Sequence, residues 1–148
     1  MKVGILRSII GSIAATAAMS IVMYVAPFMG LPKMNAAGML SEMLHTSPMV
    51  GWLMHFMIGA ILGVAYGQFL IKLLGRIDNG FIRGSVWGIV VFVFAQIMMI
   101  IMRKLMPMPN MTDNIVLMLM GSLIGHVIWG IVAAATIRPK RESSSSLL

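Results

Sequence analysis

The sequence contains no cysteine, which excludes disulfide bonds, thiolate metal sites and thiol nucleophiles together. Charge is also scarce: 10% of the 148 residues are charged, whereas a soluble domain typically carries about 25%. Hydrophobic residues make up 59% of the chain. Because a chain this short and this apolar could not cover its surface with polar groups in water, we expect lipid to be its solvent.

Acidic residues number only 4, and none lies in the middle of a long apolar run. The sequence therefore lacks the intramembrane carboxylates that relay protons in coupled transporters. It also lacks a Ser-His-Asp set, a zinc motif and a phosphate-binding glycine loop at meaningful spacing. The 11 Lys and Arg residues stand at the ends of apolar runs and are not interleaved with aromatic side chains, which argues against a nucleic-acid surface. We predict a non-enzymatic protein with no nucleic-acid partner.

Four apolar runs predict four transmembrane helices, at about residues 5–28, 49–71, 84–105 and 114–137. Each run is long enough to cross about 30 Å of hydrocarbon at about 1.5 Å per residue. The predicted fold is an all-α, polytopic four-helix bundle formed by residues 1–138. The polar segment 139–148, which contains four consecutive serines, predicts a disordered tail.

The distribution of Lys and Arg predicts the orientation of the bundle. Eight of these residues lie in segments on the side of the two termini, and three lie in the other loops. Cytoplasmic loops are enriched in basic residues. We therefore predict a multi-pass protein of the bacterial inner membrane with both termini in the cytoplasm.

Small residues recur at about four-residue spacing and predict the faces on which the helices pack, because helices in lipid associate by close backbone approach. The glycines assigned this role are Gly51, Gly59, Gly63, Gly67, Gly121, Gly125 and Gly130. Three intramembrane polar residues share such faces, His55, Gln96 and His126, and we expect them to point toward protein because a polar group facing hydrocarbon is costly. His55-x-x-x-Gly59 also matches His126-x-x-x-Gly130. A duplicated helical hairpin is one interpretation of this match, and similar composition is the other.

Methionine is the most unusual feature, with 18 in the chain. Apart from the first residue they fall in two windows, nine in residues 19–57 and eight in residues 98–120. In the predicted orientation these windows form the outer halves of the helices and the outer loops. Thioether sulfur selects Cu(I), so Met106, Met108 and Met111 are candidate ligands together with histidine. Packing or partner docking and reversible oxidation are the alternative interpretations.

The two intramembrane histidines, His55 and His126, suggest a second kind of site, in which both would bind the iron of haem b. Counted from the outer ends of the predicted helices, their depths differ by five residues, or about 7 Å. This difference in depth argues against both histidines binding one haem iron. A hydrogen bond from each ring to a neighbouring helix is the simpler interpretation.

Three segments carry a family resemblance: Gly121-Ser-Leu-Ile-Gly-His-Val-Ile-Trp-Gly130, Gly51-Trp-x-x-His55 and Gly30-Leu-Pro-Lys-Met-Asn35. In these segments the chain resembles small bacterial four-helix inner-membrane proteins of unknown function, which are loosely similar to the YagU-like proteins. The resemblance implies the four-helix topology and implies no biochemical activity.

Three functional hypotheses follow from the sequence. The first is an accessory or assembly subunit that docks a larger membrane complex, such as a respiratory one, through a Met-rich outer surface. Its partners would be the lipid bilayer and other membrane subunits or a second copy of the chain. The second is a protein that binds or transports Cu(I), and the third is a haem-b protein.

Overall fold

The computed structural model describes residues 3–74, 76–106 and 114–138. Four of its helices are long and apolar enough to cross a membrane. The first span is Ile5–Met29, the second is Pro48–Leu73, the third is Gly80–Leu105 and the fourth is Ile115–Thr136. The predicted fold class is confirmed: the chain is an all-α, multi-pass membrane protein. The predicted tail at 139–148 lies outside the described residues.

The third span begins at Gly80, four residues earlier than the sequence predicted. The Asn79 side chain accepts hydrogen bonds from the backbone N–H groups of Phe81 and Ile82, at 2.9 and 3.3 Å, and so caps the helix. Asn114 caps the fourth span in the same way. The Asp-Asn-Gly segment before the third span suggested a turn, but its asparagine also starts the helix.

A short helix, Ala36–Met43, joins the first two spans. Before it, the first span ends in a 3₁₀ turn at Ala26–Met29, and Gly30 then adopts φ 82°. This left-handed conformation suits glycine and reverses the chain direction. The short helix then packs closely against the second span. A Cβ added at Gly51 would clash with the Ala37 carbonyl, so only glycine allows this approach.

The spans pack in the order third, fourth, first and second, and the short helix adds to the outer side of the second. The second and third spans meet where Tyr66 stacks on Trp87, with ring centroids 6.1 Å apart. The fourth span thus packs along the first, while the second does not pack in the same way along the third. The internal repeat stays a prediction. We name the ends of the bundle after the predicted orientation: the inner end holds Val3 and Arg138, and the outer end holds the short helix.

Glycine allows the third and fourth spans to approach at backbone distance. A Cβ added at Gly84 would lie 2.7 Å from the Gly130 carbonyl oxygen, and one at Gly88 would clash with the His126 carbonyl. The four-residue spacing of small residues had predicted that Gly130 packs against a neighbouring helix. The contact fixes the fourth span against the third and so sets the position of His126.

The first and second spans interlock through hydroxyls and glycines. Ser8, Ser12 and Thr16 are buried on the first span, and they face Gly67, Gly63 and Gly59 of the second. The Ser12 hydroxyl donates to the Ser8 carbonyl at 2.7 Å, so it remains hydrogen-bonded although no water reaches it. Small residues at this interface build the bundle, as their spacing indicated.

Candidate functional site

A small cavity lies at the outer end, between the first span, the second span and the beginning of the short helix. Its volume is about 30 Å³, which is room for one water molecule or one metal ion. The side chains that give it chemical character are Met19, Ser20, Met23, Met34, Asn35 and His55. Three methionines and one histidine therefore line a single cavity.

The fourth span supplies space for these methionines. Met19 and Met23 are buried, and a Cβ added at Gly125 would clash with the Met23 Cε and contact the Met19 Cε. A Cβ at Gly121 would likewise clash with the end of Met34. Gly121 and Gly125, which the sequence indicated as helix-packing positions, thus receive methionine side chains instead of a backbone.

Hydrogen bonds assign the tautomer of His55. The Ser20 hydroxyl donates its one proton to the Thr16 carbonyl at 2.8 Å. The same hydroxyl lies 3.2 Å from the His55 Nε2, so it must accept the Nε2 proton. In the neutral ring the His55 Nδ1 then carries the lone pair, which makes that nitrogen the candidate ligand.

His126 is held by its own helix. Its Nδ1 donates to the Ser122 carbonyl at 2.7 Å, because a carbonyl oxygen can only accept. The Gln96 Nε2 donates to the Ser122 hydroxyl at 3.4 Å, and the ring of Phe92 packs edge-on against His126 at 5.9 Å. These contacts place both Gln96 and His126 against protein groups, as a polar residue in a membrane requires.

The two histidines lie at similar depth, although counting along the sequence suggested an offset of five residues. His55 contacts Ser20, so these two residues lie at the same depth. One turn further inward on the first span, Thr16 accepts a hydrogen bond of 3.0 Å from Trp129. Since Trp129 is itself one turn inward of His126, His126 lies at about the depth of Ser20 and therefore of His55. The estimate was wrong because the outer ends of the spans are not level. The haem interpretation gains nothing from this, since His126 does not line the cavity and about 30 Å³ is far below the roughly 300 Å³ at which cofactor pockets begin.

The proposed methionine ligands of the third-to-fourth loop are only partly described. Met106 directly follows the third span and is half-buried, whereas Met108 and Met111 lie outside the described residues. Within 3–74, 76–106 and 114–138, no group of three or more His, Asp or Glu side chains could hold a metal.

Sequence reasoning did not single out Met19 and Met23 as ligands. Residues four apart on a helix share one face, so the Met-x-x-x-Met spacing could have identified this pair. Met34 joins them only because the turn at Gly30 brings the chain back over the first span, which the sequence pattern does not encode.

Residues 2–146 match a family described as a family of unknown function (DUF6789). No curated protein and no solved structure matches the chain. The loose similarity to the YagU-like proteins finds no support in these comparisons.

Proposed function

We propose that this chain, which belongs to the family of unknown function DUF6789, is a non-enzymatic membrane protein that binds Cu(I) at the outer end of its bundle. The observation that carries the proposal is the cavity that three methionines and His55 line. Thioether and imidazole are the ligands that favour Cu(I) over harder ions.

The absence of charged side chains among the proposed ligands favours a monovalent ion. The thioethers of Met19, Met23 and Met34 are neutral, and His55 is neutral whenever its Nδ1 is free to bind a metal. Burying an ion costs free energy that rises with its charge unless opposite charges compensate it. Neutral sulfur ligands therefore suit Cu(I) better than Zn²⁺ or Ca²⁺, which favour thiolate or carboxylate ligands in proteins.

Ser20 has the role of a positioning residue in this proposal. Metal-binding histidines usually donate their second ring N–H to an oxygen, which fixes the tautomer and the orientation of the ring. The His55 Nε2–H donates to the Ser20 hydroxyl at 3.2 Å, and that hydroxyl is itself held by the Thr16 carbonyl. His55 is thus oriented before any metal arrives.

Metal analysis after anaerobic Cu(I) loading in detergent tests the proposal. We expect about one copper per chain, lost when Met19, Met23 and Met34 are changed together to leucine, which conserves volume. The matched control changes Met57, Met98 and Met120 to leucine, since all three are exposed and lie away from the cavity. A third variant with Met106, Met108 and Met111 changed to leucine separates the cavity from the outer loop. Equal copper in the cavity variant and the control would refute the proposal.

Docking to a larger membrane complex is the second candidate function. One observation favours it: the third span packs almost wholly on the fourth and leaves a wide apolar face, including Ile89, Val93 and Phe94, exposed. Lipid or another subunit can cover such a face. The accessory-subunit hypothesis predicts co-purification of a defined partner in mild detergent, and isolation as a lone chain would count against it.

The haem-b alternative has the simplest test. An absorption spectrum of the purified protein should show no Soret band if the cavity is a metal site and His126 is only hydrogen-bonded. A Soret band lost in both His55→Ala and His126→Ala would instead establish bis-histidine ligation.

A further inference from the structure

The inner end contains a second unusual feature, where the second and third spans meet. The second span changes to a π-helical turn at Tyr66–Leu70. Such turns are rare within helices and are frequent at functional sites. The turn begins at Tyr66, whose side chain is fully buried and stacks on Trp87.

Three hydrogen-bond donors in this region have no acceptor. The Tyr66 hydroxyl, the Arg83 Nε and the Trp87 Nε1 are enclosed, and none has a hydrogen-bond partner in the described part of the chain. Buried polar groups in native proteins are nearly always paired, and each exception calls for an explanation. Arg83 and Trp87 are four residues apart, so they share one face of the third span and stand on the side of Tyr66.

The charges around this cluster are all of one sign. The Arg83 guanidinium lies close to the Tyr66 hydroxyl, and the other charge that acts on Tyr66 is that of Arg138. Asp78 is the one acidic residue described at the inner end, and it is exposed. A half-buried guanidinium needs an anion to offset its loss of hydration.

We propose that Tyr66, Arg83 and Trp87 form a binding site for a phosphoryl group at the inner end of the bundle. An N–H or O–H group of each side chain lacks an acceptor, and phosphoryl oxygens accept several charge-assisted hydrogen bonds at once. Arginine matches the geometry of phosphate. Arg83 is half-exposed while its Nε and the other two donors are enclosed, so a ligand must displace the Arg83 side chain to reach them.

The surroundings indicate a phospholipid headgroup as the source of the phosphoryl group. Phe69, Leu73 and Phe81 lie near the cluster in the sequence, and each is more than half exposed. In a membrane these side chains contact acyl chains. In the predicted orientation the site faces the cytoplasmic leaflet, where anionic lipids attract basic residues. Free phosphate would satisfy the same donors without using the apolar side chains.

Thermal unfolding and native mass spectrometry of the delipidated full chain in neutral detergent test the site. The probes are phosphatidylglycerol, a diacylglycerol with the same acyl chains, and inorganic phosphate. We expect phosphatidylglycerol to bind and to raise the Tm, and the diacylglycerol to have no comparable effect. Stabilisation by phosphate alone, lost in Arg83→Gln, would support the phosphoryl site with a soluble source.

The variants separate specific binding from general attraction to basic residues. Arg83→Gln should weaken phosphatidylglycerol binding about tenfold, as expected for hydrogen bonds to a charged group. Arg76→Gln is the matched control, because Arg76 is exposed at the same end and loses the same charge. Tyr66→Phe keeps the ring stack and removes only an unpaired hydroxyl, so it should fold and bind the lipid more weakly. Equal losses in Arg76→Gln and Arg83→Gln, or no response to either phosphatidylglycerol or phosphate, would overturn the proposal.

Discussion

Alanine at Gly130 should force the third and fourth spans apart. The added Cβ would lie 2.5 Å from the Gly88 nitrogen and 2.7 Å from the Gly88 Cα, and it would clash with the Gly84 carbonyl. Carbon contacts are most favourable at about 3.5–4.0 Å, so the helices would have to separate by about 1 Å. Backbone atoms cannot move aside as the end of a flexible side chain can. We expect a loss of about 1–3 kcal/mol in the free energy of unfolding, the usual range for overpacking.

The assay is reversible unfolding in mixed micelles, followed by the loss of helical ellipticity. Gly80→Ala is the matched control, because a Cβ at Gly80 would meet nothing within 4 Å. Alanine is also a better helix former than glycine, so the control should be neutral or slightly more stable. If Gly130→Ala were as stable as Gly80→Ala, the third and fourth spans would not pack at backbone distance, and the position of His126 would need another explanation.

Three further predictions concern the cavity, the centre of the bundle and its orientation. Gly125→Ala should displace the flexible end of Met23 and weaken Cu(I) binding about tenfold, with little change in unfolding, as measured by competition with a Cu(I) chelator. Trp129→Phe should lower the free energy of unfolding by about 0.6–1.5 kcal/mol, because it removes the buried hydrogen bond between the first and fourth spans. Since the chain has no cysteine, single cysteines introduced as Ser47→Cys and Asp78→Cys report the orientation of the bundle directly. An impermeant maleimide should label Ser47→Cys in intact spheroplasts and Asp78→Cys only after permeabilisation. The reverse labelling pattern would invert the predicted topology.

The four-helix fold could be predicted from the sequence because hydropathy and length decide whether a helix can span a membrane. The beginning of the third span was not, because Asn79 both ends a turn and caps a helix. No local sequence pattern marks the π turn that begins at Tyr66, where the second span meets the third. From the methionine windows the sequence proposed Met106, Met108 and Met111 as ligands, and this stays a prediction. The described cavity forms elsewhere, because the reversal at Gly30 brings Met34 to the first span.

The centre of the bundle bears on whether copper would cross the membrane. Inward of the cavity, the polar groups between the first two spans are the buried hydroxyls of Ser8, Ser12 and Thr16, packed against glycines. Hydroxyl oxygen is a hard ligand that suits Cu(I) poorly, and residues 58–97 contain no methionine. We therefore expect the protein to bind Cu(I) without moving it across the bilayer. In proteoliposomes loaded with a Cu(I)-sensitive dye, entry should be no faster than in empty liposomes. Faster entry that disappears when Met19, Met23 and Met34 are changed to leucine would show that the cavity opens into a path.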